Sequence, residues 1–481
     1  MKYIIRWSIT IAISTLVLSA CSTSPKSGFT TQANLDRQTL IENQRQWNEL
    51  STQSNNQQSQ PIYLSDLMNV PKLNNLIDIA LKNNPKVLQD LLAFEIQAEK
   101  SNVSKNNHLP TVNASVGATR TKKQITNFTA SASVRWEADL WQELALDQQV
   151  EDTLYLQSFA FLQATKDSLT ARIMQNWLQF IHQTKMLNIN TQLLALLEKN
   201  ESLILNKFRN GLGNLEDINT ARIATEKVKS TLINDQENLA ITKRSLATYL
   251  GQNNHDALLE LESNFVAGYP DVLFPLSTLT EQNLQNRPDL KAAFLSIKAN
   301  DLNTKVAYKA LLPSFSLQAS LNDSAESLRD ALFASPIWSL LSQLTLPLFQ
   351  KGQLKSNIKT AELKTAQSYQ AYRENLLNAV TEVENRLGQE KALSQRHDFI
   401  QSALAHSQID LKQYQKKYRS GLVGLNDLIS AQQATFNLEA DLENLLFQRL
   451  SNRIGLGLAL GLGAKNDSKS THLTSDYGVN S

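Results

Sequence analysis

The chain is poor in helix breakers and nearly free of cysteine. Its 481 residues include 11 prolines, 15 glycines and one cysteine, Cys21. A single cysteine excludes an internal disulfide and any zinc site built on cysteine pairs. After the leader no apolar run reaches eighteen residues, so no membrane-spanning helix is expected. Strands are then the only way this chain would cross a bilayer. An excess of one charge is also missing. Setting aside Lys2 and Arg6 of the leader leaves 45 basic against 45 acidic residues. No global positive field remains to attract nucleic acid or anionic lipid.

Catalytic patterns are absent too. The six histidines, His108, His182, His255, His397, His406 and His472, form no HExxH arrangement, and there is no GxSxG elbow. Gly455, Gly457, Gly461 and Gly463 have neither Rossmann nor P-loop spacing and read as a helix end. The expectation is no enzyme, no metal and no cofactor beyond a covalent lipid. Energy for any transport must come from a partner.

The first twenty residues have the form of a signal peptide. Lys2 and Arg6 precede an apolar stretch from Trp7 to Leu18, and Leu18-Ser19-Ala20-Cys21 follows. That box looks like the cleavage site of bacterial lipoproteins, in which the cysteine becomes the lipidated first residue. An ordinary signal peptide with a chance cysteine is the plainer alternative. Ser22, a residue other than Asp after the cysteine, suggests outer-membrane sorting by resemblance to sorted lipoproteins. Residues 22–60, rich in Ser, Thr, Gln and Asn, and the polar residues 464–481 read as extended or mobile tethers.

Between them the sequence repeats. Asn84-Pro85 and Arg287-Pro288 each open a helix that runs to a second proline, Pro110 or Pro313, at equal spacing. Lys207-Phe208-Arg209-Asn210-Gly211-Leu212-Gly213-Asn214-Leu215-Glu216-Asp217-Ile218 matches Lys417-Tyr418-Arg419-Ser420-Gly421-Leu422-Val423-Gly424-Leu425-Asn426-Asp427-Leu428. Tyr249-Leu250-Gly251 and Ala459-Leu460-Gly461 close the copies. The segments expected are 1–20 leader, 21–70 lipidated N-terminus and tether, 71–270 first repeat, 271–463 second repeat and 464–481 tail.

Each copy reads as helix, two strands, very long helix, glycine turn, helix. Proline is absent from 111 to 269 and after Pro347, and only Gly388 interrupts 353–420. Without breakers each long stretch forms one helix of about 65–70 residues, roughly 100 Å at 1.5 Å per residue. The returning helices carry matching seams: Ile218, Ala221, Thr225, Val228, Leu232, Asp235, Leu239, and Leu428, Ala431, Thr435, Leu438, Leu442, Leu445, Arg449. The strands alternate. Val112, Ala114, Val116 and Ala118 share a face, as do Phe128, Ala130, Ala132, Val134 and Trp136, and Phe315, Leu317, Ala319 and Leu321. The fourth strand, near 338–346, alternates less cleanly. Small polar residues occupy the other face, as in barrel strands between lipid and lumen, although two surface hairpins of a soluble protein would also alternate. Four strands leave open edges, so copies must associate. Two would give eight strands and a filled lumen; three would give twelve and room for a pore.

The pattern resembles the TolC-like outer-membrane efflux factors, in their lipoprotein branch (OprM/NodT-like), over about residues 70–463. Arg287-Pro288-Asp289-Leu290, Leu312-Pro313, Trp136-Glu137-Ala138-Asp139-Leu140-Trp141 and the two glycine turns with Ala221-Arg222 and Ala431-Gln432 carry the resemblance. It implies a mainly α fold with a transmembrane β part: a trimeric twelve-stranded outer-membrane barrel continued by a long periplasmic helical barrel, with an internal two-fold repeat. It also implies a homotrimer, a periplasmic adaptor protein and an inner-membrane pump of the RND type, and helix tips that close the periplasmic end. The tip turns would be Gly211, Gly213, Gly421 and Gly424. Asp427 matches a constriction aspartate, and Asp217 and Tyr418 match a pair that links neighbouring hairpins. A symmetric ring of carboxylates would narrow a pore and bind cations, but an aspartate in a first helical turn is also favoured by the helix dipole. Val423 and Ser430 stand where some members place Arg and a second Asp, which leaves Asp427 as the main candidate. The Gly-Pro-Asp-Tyr stretch usual after the lipidated cysteine is missing.

The function so implied is a passive outer-membrane conduit, lipid-anchored at Cys21, exporting small molecules such as drugs. Protein secretion, metal-ion efflux, or a pore-less periplasm-spanning lipoprotein are the alternatives.

Overall fold

The computed structural model describes residues 28–43, 63–122, 125–252, 268–275, 286–350 and 352–465. The leader, Cys21 and residues 466–481 lie outside them. In chain order the described elements are α1 (Phe29–Asn43), a 3-10 turn (Leu64–Leu67), α2 (Pro71–Asn83), α3 (Pro85–Asn106), β1 (Thr111–Thr119), β2 (Asn127–Ala138), α4 (Glu143–Arg209), α5 (Leu215–Tyr249), α6 (Pro288–Lys309), β3 (Ser314–Ala325), α7 (Leu328–Phe333), β4 (Ile337–Thr345), α8 (Gln353–Arg419) and α9 (Leu425–Ala459).

The duplication is visible residue by residue. Helices α3 and α6 are each 22 residues long, α4 and α8 each 67, and α5 and α9 each 35. The offset between copies is 203 residues up to the second hairpin and 210 after it, and the extra helix α7 lies within that hairpin. At 1.5 Å per residue each 67-residue helix is roughly 100 Å long. Gly388 does not interrupt α8.

Contacts divide the chain into two units, and neither unit is a repeat copy. The first takes 1–42, 92–160 and 289–376; the second takes 43–91, 161–288 and 377–481.

The first unit is built around a four-stranded antiparallel sheet in the order β1-β2-β3-β4. Its register aligns like with like. Val112, Val134, Ala319 and Leu340 form one cross-strand row, and Ala114, Ala132, Leu321 and Trp338 form the next apolar row. Between them runs Asn113, Ser133, Ser320 and Ser339. One face is therefore mainly apolar, apart from Asp323 beside Ala130, and the other is polar, mostly small but with Arg135, Glu137 and Gln318 near one end; serine hydroxyls pair on it at 2.7 Å (Ser115 and Ser131) and 2.8 Å (Ser320 and Ser339). The weaker alternation of β4 is real: Ser342 falls in the apolar set and Leu341 in the polar one. Trp338 and Leu340 are 75% and 68% exposed.

The motif ending β2 anchors the sheet. Trp136 Nε1 donates to the carbonyl of His108 at 3.1 Å, and Trp141 Nε1 to that of Pro313 at 2.6 Å. The Asp139 carboxylate accepts from the backbone amides of Leu144 (3.1 Å) and Ala145 (3.0 Å), satisfying donors left open at the start of α4. Helices α3 and α4 are joined by Gln97 to Glu151 and by Phe94 stacked on Tyr155; α6 and α8 by the buried Thr304–Thr365 pair.

One expectation fails in this unit. Residues 22–60 read as a polar tether, yet Phe29–Asn43 is helical. Ala33 is fully buried, Phe29 packs on Tyr369, and the Tyr369 hydroxyl donates to Asp36 at 2.6 Å. α1 lacks a continuous apolar stripe; a few tertiary contacts stabilise a helix that propensity alone would not. The expected tether over 21–70 fails again at 63–70 in the second unit, where Leu64, Leu67 and Met68 are fully buried and Tyr63 and Met68 bridge to Gly463 and Val272.

The second unit shows the repeat in its hydrogen bonds. Asn84, before Pro85, donates Nδ2 to the Tyr249 carbonyl at 2.9 Å. Arg287, before Pro288, donates to the Ala459 carbonyl at 3.0 Å and also to Glu382. Each ties the entry of a short helix to the exit of its own copy's returning helix, where last-turn carbonyls lack helical partners. The chain then turns at Gly251 (φ 68°) and Gly461 (φ 82°). A side chain on Gly251 would collide with the Asn83 carbonyl.

Candidate functional site at the helix tips

The two glycine turns are built alike. Gly211 and Gly421 adopt φ of 72° and 71°. Gly211 N donates to Phe208 O (2.9 Å) and Leu212 N to Lys207 O (2.8 Å); Gly421 and Leu422 repeat the pattern to Tyr418 and Lys417. These paired bonds satisfy the last carbonyls of α4 and α8, and a left-handed residue makes them possible. Lys207 and Arg209, and Lys416, Lys417 and Arg419, add positive charge where each helix dipole is negative. Gly213 and Gly424 serve differently. A side chain on Gly213 would press on the Phe208 backbone, and Gly424, at φ −74°, is the N-cap of α9.

Below the turns the ends of α4, α5, α8 and α9 share one apolar cluster. Leu193, Leu197 and Ile204 meet Ile218, Ala221, Leu425, Leu428 and Ile429, with Leu411, Tyr414 and Tyr418 packed against them. The seams read from the sequence are the inward residues: Ile218, Ala221, Thr225, Leu428 and Thr435 are buried. Within this region the buried Asn200 amide donates to Gln432 at 3.0 Å. Hydroxyls of Ser407 and Thr435 meet at 2.8 Å.

The three candidate residues have different surroundings. Tyr418 is half-buried against the cluster, with Lys207 Nζ 5.2 Å from its ring centre. Asp427 is exposed, and its Oδ2 accepts from Gly424 N at 3.0 Å. Asp217, the equivalent residue in the first copy, has its own N–H capped by Asn214 Oδ1 at 2.7 Å. Its carboxylate accepts from Asn426 Nδ2 at 2.8 Å. The structure brings Asp217 to Asn426 rather than to Tyr418. Asn426 was not singled out by the sequence. The one signal available was that Asn426 aligns with Glu216 in the repeat, an amide where the other copy has a carboxylate. Cys21 lies outside the described residues.

Residues 76–252 and 279–462 match the model of a family described as outer membrane efflux protein. The chain is 26% identical over 401 residues to the probable outer membrane lipoprotein SilC of Salmonella typhimurium, covering 82% of this chain and 86% of that one. It is 24% identical to the cation efflux system protein CusC of Escherichia coli strain K12, covering 70% of this chain and 73% of CusC. Its fold is similar to the crystal structure of the Campylobacter jejuni CmeC outer membrane channel, with TM-score 0.77 at 19% identity, over 86% of this chain and 91% of CmeC.

Proposed function

The chain belongs to the outer membrane efflux protein family, and from that premise we propose that it is the outer-membrane channel of a three-part export machine, a passive conduit for small molecules such as drugs. The observation that carries the reading is the sheet. Its apolar rows are continuous across four strands, and β1 and β4 are its edges. Open edges are not tolerated in hydrocarbon, so copies close the barrel. Three copies give twelve strands, enough for a pore.

Two helices of about 100 Å per chain suit a tube reaching from the outer membrane across the periplasm. The tips are its periplasmic end, and the candidate gate residues Asp217, Asp427 and Tyr418 all lie there. Leu212 and Leu422, 78% and 75% exposed, offer apolar contact to a periplasmic adaptor protein, which links the channel to an RND-type pump. The family's role supports reading the protein as a transport component rather than an enzyme. A lipid on Cys21 fits the cleavage box, and the similarity to SilC, a probable outer membrane lipoprotein, supports it.

The description of CusC as a cation efflux protein favours metal ions as a second cargo reading. The test is fractionation, followed by conductance in planar bilayers and by accumulation assays. The protein should enter the outer membrane as a heat-dissociable trimer and conduct ions. A soluble or non-conducting protein would overturn the proposal. Cells lacking the gene should then accumulate dyes and antibiotics; gain of sensitivity to metal cations alone would favour the second cargo.

A further inference from the structure

We infer that the two repeat-equivalent aspartates at the tips have separate tasks, and that Asn426 is the residue that positions the tip gate by holding Asp217. The inference rests on the channel reading above and deepens it. Asp217 and Asp427 occupy the same position 210 residues apart, and an equal role in a carboxylate ring would need both to be unengaged. They are not equally engaged. In the first copy Asn214 caps α5, which leaves the Asp217 carboxylate available. In the second copy the N-cap is Gly424, which has no side chain, and Asp427 reaches back to its amide instead. Asp427 is thereby fixed to its own helix. Asp217 is the carboxylate that leaves its own copy, and Asn426 receives it at 2.8 Å.

That bond joins the first turn of α5 to the first turn of α9, 209 residues apart in the chain. Other polar ties that α9 makes lie deeper along it, among them Asn200–Gln432 and Ser407–Thr435. The Asn426–Asp217 bond is exposed, so it exchanges readily with water and can release without leaving an orphaned buried group. Moving the tip of α9 away from that of α5 must break it.

The glycine at the cap makes the two roles separable. A Cβ on Gly424 would meet only Asp427 Oδ2, at 3.5 Å, and φ there is ordinary. Gly424→Asn should therefore reproduce the first copy's cap. The experiment records single-channel currents of the full-length protein in planar bilayers and hydrogen exchange at the start of α9. Asn426→Ala should raise open probability about tenfold, the weight of one hydrogen bond to a charged acceptor. It should leave the exchange of α9 unchanged. Asn426→Asp, which faces one carboxylate with another, should open the channel further, and adding Asp217→Asn should restore closure by reversing donor and acceptor. Asp427→Ala should speed exchange at the start of α9, and Gly424→Asn should reverse that effect.

Unchanged currents in both Asn426 variants, with a conducting parent, would overturn the latch. Failure of Gly424→Asn to rescue Asp427→Ala, with currents still raised, would return Asp427 to the gate and overturn the division of roles. A parent that never conducts is a different result, since it would sink the channel reading itself.

Discussion

Asn84 and Arg287 share neither charge nor size, yet each ties the start of a short helix to the last carbonyl of its copy's returning helix. A duplicated fold keeps the bond and lets the donor vary. Its glycines vary less where torsion and space both constrain them. Gly251 has φ 68°, and a side chain there would collide with the Asn83 backbone. Gly251→Ala is expected to destabilise the protein by at least about 1–2 kcal/mol, the penalty for a side chain in the left-handed region. Denaturant titration in detergent would check it, and a midpoint equal to wild type would refute the strain. Burial also acts on His182. Its Nδ1 lies 3.3 Å from the Tyr269 hydroxyl and its ring stacks on Phe447 at 4.8 Å. Burial pushes its pKa below the ordinary 6.5, with a smaller push from Lys185, against the pull of Glu443 and Asp235. The unfolded chain thus takes up the proton first, so the buried neutral ring contributes fully above about pH 6.5 and its contribution is lost as pH falls below that. Thermal midpoints between about pH 7.5 and about pH 5 should drop more steeply for the parent than for His182→Gln; parallel curves would exclude His182 as the titrating group.

Among the elements, length was the most legible feature. The absence of proline and near-absence of glycine foretold two helices of about 65–70 residues, and each is 67. The strands and their faces were also readable, because a period of two survives in Val112 to Ala118 and in Phe128 to Trp136. Helices α1, α2 and α7 were not foreseen. α1 depends on a few contacts to α8, such as Asp36 to Tyr369, that no local pattern encodes. The tip aspartates were singled out by the family resemblance and Asn426 was not, since its partner depends on which tips lie together. The start of α4 at Glu143 depends on a cap four residues upstream, at Asp139, and Gln142 sits at φ 62° between them. Asp139→Ala should cost about 1 kcal/mol and fray the first turns of α4. Faster hydrogen exchange confined to the start of α4 would confirm it; exchange spread along the helix would point to a broader role.

At the scale of the whole molecule, the sheet decides what surrounds it. Leu340 ends the apolar row Val112, Val134 and Ala319, while its neighbour Ser339 ends the polar row Asn113, Ser133 and Ser320. The two residues sit on one strand, are both exposed and differ in the face they share. In a soluble protein an arginine at either position would be tolerated alike. In a barrel wall it would not, because a charge on the lipid side near mid-membrane costs about 2–4 kcal/mol and a lumen charge remains in water. Leu340→Arg should reduce the heat-dissociable trimer recovered from the outer membrane. Ser339→Arg should leave trimer yield near wild type and shift ion selectivity towards anions, measured as reversal potential across a salt gradient. Equal yields for both variants would mean that the apolar rows do not meet lipid, and would leave the long helices without a pore to extend.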